Sequence, residues 1–154
     1  METADFSHHI SRRFNEDLER VRNKVLSMGG MVEQQLEKAV TALIEGDSAL
    51  GEAVARDDYR VNAMEVSIDE ECSRILATRA PAAGDLRLIV AIIKTITDLE
   101  RIGDEAEKIA YIASRLASME RPPDRYREVK HIARLVAQML HDALDDFCSG
   151  QLVR

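Results

Sequence analysis

The sequence predicts an all-α fold: an antiparallel three-helix bundle (residues 1–120) followed by the first helix of an incomplete second bundle (residues 124–154). Three observations carry this expectation. The 154 residues include only 7 Gly and 3 Pro, and aromatic residues make up 4% with no Trp, which disfavours sandwiches, barrels and unstructured linkers. Apolar residues recur at steps of three and four along four long stretches. Breaker segments separate these stretches, and the connections are tight. A chain of this length makes one domain with room for a real core.

The first helix is read from about Ile10 to Glu45, with Phe14, Leu18, Val21, Val25, Met28, Val32, Leu36, Val40 and Leu43 on its apolar stripe. Gly29 and Gly30 interrupt it, so they either kink the helix or let a neighbour come close. Gly46-Asp47-Ser48 supplies a stop and then a cap. The second helix carries Leu50, Val54, Val61, Met64, Ile68, Cys72 and Ile75 and breaks at Arg79-Ala80-Pro81. Asp85 is read as the cap of a third helix bearing Leu86, Ile89, Ile92, Ile96, Leu99, Ile102, Ala106, Ile109 and Leu116. Pro122-Pro123 ends it, and Asp124 opens a fourth helix with Val129, Ile132, Val136, Leu140, Leu144 and Phe147. Three helices with tight connections form an up-down-up bundle.

The fourth helix reads as a repeat of the first. A shift of 104 residues lays Thr41–Asp47 over Asp145–Gln151, Leu36 over Leu140 and Ala39 over Ala143, so that small, apolar and Gly positions coincide. Its apolar stripe, Val129 to Phe147, has no partner within a three-helix unit. Burying each such side chain is worth roughly 1.5–3 kcal/mol, which predicts self-association by helix pairing or domain swapping.

The formal net charge of −7 gives no general attraction to nucleic acid or anionic lipid. The one basic cluster, Arg121, Arg125, Arg127, Lys130 and Arg134, interleaves only Tyr126 and reads as solvated surface or a docking face for an acidic partner. The polar, acidic start is unlike a signal peptide, and the apolar run Leu88–Ile93 stops at Lys94; both predict a soluble, cytoplasmic protein without membrane insertion. Cys72 and Cys148 lie far apart without a CxxC spacing and are expected as two buried, reduced thiols.

The chemistry-bearing pattern is acidic. Asp58, Asn62, Glu65 and Asp69 fall within about 60° of one another on the second helix, and Glu100 and Asp104 lie about 40° apart on the third. A turn centred near Pro81 places Asn62 opposite about Arg101 and Glu65 opposite about Asp98, so the pairs Glu65/Asp69 and Glu100/Asp104 come within about a turn of each other. Converging carboxylates repel unless a cation lies between them. All-oxygen ligands suit Mg²⁺, Ca²⁺, Mn²⁺ or iron. The competing reading is a set of solvated acids answered by Arg101 or Lys94. Glu128 and His131 have the Glu-x-x-His spacing of di-iron bundles, but no second copy exists and both are expected at the surface. His8, His9 and His141 show no nucleophile or base around them, and phosphate-binding Gly-rich loops are absent.

Met28-Gly-Gly-Met-Val-Glu33, Asn62-Ala-Met-Glu-Val-Ser-Ile-Asp69, Asp85-Leu-Arg-Leu88 and above all Leu99-Glu-Arg-Ile-Gly-Asp104 together resemble the PhoU family, the accessory regulators of phosphate-specific transport. The resemblance covers essentially the whole chain, with several motifs in order. It implies tandem three-helix bundles that bind metal clusters at the surface through Glu/Asp-x-x-x-Asp motifs. By position it implicates Glu65, Asp69, Glu100 and Asp104, with Asn62 as an additional ligand. The metal would be divalent or trivalent: iron, Mn, Mg or Zn. It also implies a non-enzymatic protein that links the transporter's ATPase subunit to a sensor histidine kinase and restrains uptake and the phosphate-starvation response. The chain stops where the second bundle's second helix would begin, so that bundle's metal motif is not in this sequence. The alternative from the enzyme class is a carboxylate-bridged metalloprotein with redox, hydrolytic or metal-storage activity at the same residues.

Overall fold

The computed structural model describes residues 2–120 and 126–149, with side chains from residue 12 onward. Five helices follow in order: α1 (Glu2–Glu45), α2 (Ser48–Asp57), α3 (Tyr59–Arg79), α4 (Ala83–Leu116) and α5 (Arg127–Ser149). No strand occurs among the described residues, and no described helix is long and apolar enough to cross a membrane.

α1 starts eight residues before the expected Ile10. Its first turns hold neither Gly nor Pro, so nothing stops a helix nucleated on the core from running outward. Its 44 residues make a rod of about 66 Å. It ends as expected. Gly46 takes φ 72°, its N–H and that of Asp47 donate to the Ala42 carbonyl at 2.9 and 3.0 Å, and the Asp47 carboxylate accepts the Leu50 N–H at 2.9 Å.

The expected second helix is two. Asp58 remains in the right-handed region (φ −57°, ψ −34°), but its carbonyl takes the Val61 N–H at 2.9 Å and the Asn62 N–H only at 3.5 Å. That local tightening toward a 3₁₀ turn divides α2 from α3. The reading of Asp85 as the cap of the next helix is corrected: Ala82 is the N-cap, and Asp85 sits in the first turn, where its charge complements the helix dipole. Pro122, Pro123 and Asp124, assigned to the next break and cap, lie outside the described residues, as do Arg121, Arg125 and the end of the repeat alignment, Gly150 and Gln151.

α4 packs against α1, α2 and α3. The core joins Val21, Val25, Met28 and Val32 of α1 to Val61, Ile68, Cys72 and Ile75 of α3 and Ile89, Ile92, Ile96 and Leu99 of α4. A smaller cluster of Leu36, Ala39, Val54, Ala106 and Ala110 closes the α2 end. On the rim between α1 and α3, Asp17 binds Arg79 at 3.1 Å and Arg20 at 3.2 Å, while Glu71 binds Lys24 at 2.6 Å and Arg20 at 3.0 Å.

α5 finds a partner that the sequence reading did not give it. Leu140 and Phe147 are buried, and Leu144 packs against the same core. Gly29 is the reason α5 comes so close, since a Cβ there would lie 2.5 Å from Leu144 Cδ2; nothing approaches Gly30 within 4 Å. Of the two alternatives for this pair, a kink or a close approach, the structure shows the close approach, at Gly29. Arg22 of α1 donates to the Phe147 and Cys148 carbonyls at 3.2 and 3.0 Å, capping the end of α5 from another helix. Only one face of α5 is used. Ile132, Leu135, Val136 and Met139 stay exposed, as do Glu128, His131, Arg127, Lys130 and Arg134. Cys148 is exposed too, which corrects the expectation of two buried thiols; Cys72 alone is buried.

Candidate metal centre

The break at Asp58 and the antiparallel register of α3 and α4 together set the site. Asp58 and Gln35 are buried, Glu65, Glu100, Asp104 and Glu107 are half-buried, and Asn62 and Asp69 are exposed. Carboxylate oxygens of Asp58, Asp104 and Glu107 lie within 4.8 Å of one another. Glu65 acts electrostatically on Glu100, together with Asp104 and Asp58. Of the predicted ligands only Asp104 belongs to the converging group; Glu65 and Glu100 stand near enough to interact electrostatically with it, in keeping with an antiparallel register of α3 and α4. Asp69 acts on the Cys72 thiol and is not among the converging carboxylates. Asn62 is one turn beyond Asp58, its N–H directed at the Asp58 carbonyl.

Two residues of the cluster were missing from the predicted ligand set. Asp58 was part of the acidic stripe but fell outside the Glu-x-x-x-Asp pairs. Glu107 continues the face of Glu100 and Asp104 by a further step of three, so helical spacing alone was the available signal.

The electrostatics are those of an uncompensated acidic cluster. Burial raises the pKa of Glu100, and Asp104, Glu65 and Asp58 raise it further, against Arg101. Burial also raises Glu107, with Asp58 and Asp104 adding to it, against Lys108. Among the described residues no ion pair closes on Asp58, Glu100, Asp104 or Glu107; Lys108 is committed to Glu105 at 2.7 Å. Beneath the cluster, Gln35 Nε2 donates to Asp58 Oδ1 at 2.6 Å, and Gln35 Oε1 is buried without a partner. A buried acceptor left unpaired costs about 1–3 kcal/mol and marks a place where a water or ion belongs.

The donor set fits a hard cation. Oxygens bound to one ion at about 2.0–2.6 Å are at most about 4–5 Å apart, and the three carboxylates meet that limit. With no His or Cys in the cluster, Mg²⁺, Ca²⁺, Mn²⁺ or iron match it better than zinc, which favours nitrogen and sulfur.

The fold and the site define a class: an all-α bundle with an all-oxygen acidic cluster along the seam of two antiparallel helices. Within it, residues 25–113 match the PhoU domain, and the chain belongs to that family. It is 56% identical over 141 residues, 92% of this chain, to a Pseudomonas putida protein named phosphate-specific transport system accessory protein PhoU homolog, of which it spans 55%. The fold is similar to the crystal structure of PhoU from Pseudomonas aeruginosa (TM-score 0.85, 52% identity, 88% of this chain and 65% of that one). It is also similar to the phosphate transport system regulatory protein PhoU from Streptococcus pneumoniae (TM-score 0.78, 28% identity, 86% of this chain and 62% of that one). The chain thus spans little more than half to about two thirds of the relatives it matches.

Proposed function

We propose that this chain is a non-enzymatic, cation-dependent regulatory module of phosphate transport. The observation that carries this reading is the convergence of Asp58, Asp104 and Glu107 with no ion-paired side chain, with Glu65 and Glu100 coupled to it electrostatically, on a PhoU-domain bundle. A bound divalent or trivalent ion supplies the missing positive charge and ties α4 to the α2–α3 junction, fixing the surface that a partner reads. In the cytoplasm that partner is the phosphate transporter's ATPase subunit and the sensor histidine kinase, whose starvation response the protein restrains. Names of relatives as accessory and regulatory proteins of phosphate transport support this role.

The test is elemental analysis of protein purified without chelator, for wild type and Glu100→Ala/Asp104→Ala, followed by binding to the ATPase subunit and the kinase with and without the ion. Metal lost in the double variant together with partner binding supports the reading. Metal-independent binding by both proteins overturns its cation dependence. Substrate turnover abolished by Glu100→Ala would instead establish the metalloenzyme alternative. The exposed Ile132, Leu135, Val136 and Met139 on α5 support a further part of the proposal, pairing with a second copy; a strictly monomeric species in sedimentation equilibrium at tens of micromolar would rule this out.

A further inference from the structure

Gln35 stands apart from the acidic pattern, on a different helix and uncharged, yet it is 8% exposed and meets the cluster from below. Its amide is held in one orientation. Nε2 donates to Asp58 Oδ1 at 2.6 Å, and a flip would press two oxygens together, so Oε1 is forced to where no donor exists. Gly103 faces this pair. A Cβ there would lie 3.1 Å from Gln35 Oε1, 3.4 Å from Val61 Cγ1 and 3.7 Å from Asp58 Oδ1. The glycine between Glu100 and Asp104 therefore leaves space that the Gln35 amide and the Asp58 carboxylate occupy. The chain accepts an orphaned acceptor on the amide that holds Asp58, one of the three converging carboxylates. A cation with its hydration shell brings both what the carboxylates lack and the donor that the amide oxygen lacks.

We propose that Gln35 is the positioning residue of the cation site: its amide N–H fixes the Asp58 carboxylate, its Oε1 accepts a hydrogen bond from a water on the bound cation, and Gly103 makes the room. This rests on the cation reading above. The probes are Mn²⁺, followed by the loss of its free-ion EPR signal, and Mg²⁺, followed by NMR of the full chain. Asp104→Asn abolishes Mn²⁺ binding if the cluster is the site. Gln35→Met, which keeps volume but removes donor and acceptor, weakens Mn²⁺ by about 10–100-fold, the size of an outer-shell loss. Gly103→Ala, which only crowds the amide, weakens it less. In the wild type, Mg²⁺ shifts the Gln35 side-chain N–H₂ resonances with the same midpoint as the Asp104 backbone amide, which a merely space-filling glutamine would not show. Should Gln35→Met not fold, this wild-type titration decides alone. Mn²⁺ binding lost in Asp104→Asn but unchanged in folded Gln35→Met, or Asp104 shifts with the Gln35 resonances unmoved, overturns the role of Gln35 and leaves the site standing. A wild type that binds neither ion overturns both.

Discussion

Two carboxylate clusters on this bundle are treated in opposite ways. On the α1–α3 rim, burial pushes Asp17 upward, but Arg74 and Arg79 more than offset it and hold the pKa below the usual value. Burial likewise pushes Glu71 up, and Lys24 and Arg20 bring it down. In the seam below α4, burial raises Glu100 and Glu107 and their neighbours raise them further, because those neighbours are again acids. Burial acts in the same direction in both places. What differs is how closely the fold supplies cations: on the α3–α4 seam Arg101 and Lys108 act against the shift without ion-pairing to these acids, and they do not reverse it. A rim cluster that closes on its own side chains is structural; one left open asks for an ion from outside.

The largest effect expected from breaking this contrast is on the closed side. Asp17→Ala or Glu71→Ala removes several charge-assisted hydrogen bonds and lowers stability by about 2–3 kcal/mol in urea unfolding, whatever the divalent ion concentration. On the open side, saturating Mg²⁺ or Mn²⁺ at about 100 times the dissociation constant raises stability by about 2.7 kcal/mol. That gain vanishes in Asp104→Asn/Glu107→Gln and persists in Glu71→Ala. Without added ion, Asp104→Asn alone relieves repulsion and leaves stability unchanged or higher by less than about 1 kcal/mol. A loss of stability there would show that the seam is already compensated.

The pH dependence separates the clusters by sign. Asp17 and Glu71 titrate below their ordinary values, so their stabilisation is present above the ordinary carboxylate range and is lost as pH falls through it toward the depressed values. Glu100 and Glu107 titrate above theirs. The folded state then holds the extra protons, and stability declines as pH rises from the ordinary range through the raised values. Urea midpoints measured against pH should show both limbs, with added Mg²⁺ removing only the upper one. The smallest effect concerns thiols. The Cys72 pKa is pushed up to about 11 by burial, Asp69 and Glu71, so alkylation near neutral pH should modify exposed Cys148 and spare Cys72. Glu71→Ala should speed Cys72 labelling modestly by loosening the rim above it.

Much of this was legible in the residues. The stripes of α1, α3 and α4, the stop at Gly46, the cap at Asp47 and the break before Pro81 follow from periodicity and local backbone chemistry. The register that brings Glu65 near Glu100 follows from the position of one turn. The division at Asp58 was not legible, because the backbone there stays helical and only the hydrogen-bond pattern tightens. Nor was the choice of cap, since Ala82 has no capping side chain and loop geometry set the start of α4.

What the sequence by itself determined is the set of helices, their order and the acidic ridges, because each is written in spacings of three and four along one segment. Only the tertiary structure decided which acids meet, that Gln35 of α1 holds Asp58 at the start of α3, that Gly103 leaves space beneath them, and that α5 seats Leu144 against Gly29. Those contacts join residues 23 to 115 positions apart. Their geometry comes from how helices settle against one another to close a core, and no local pattern encodes that depth or rotation.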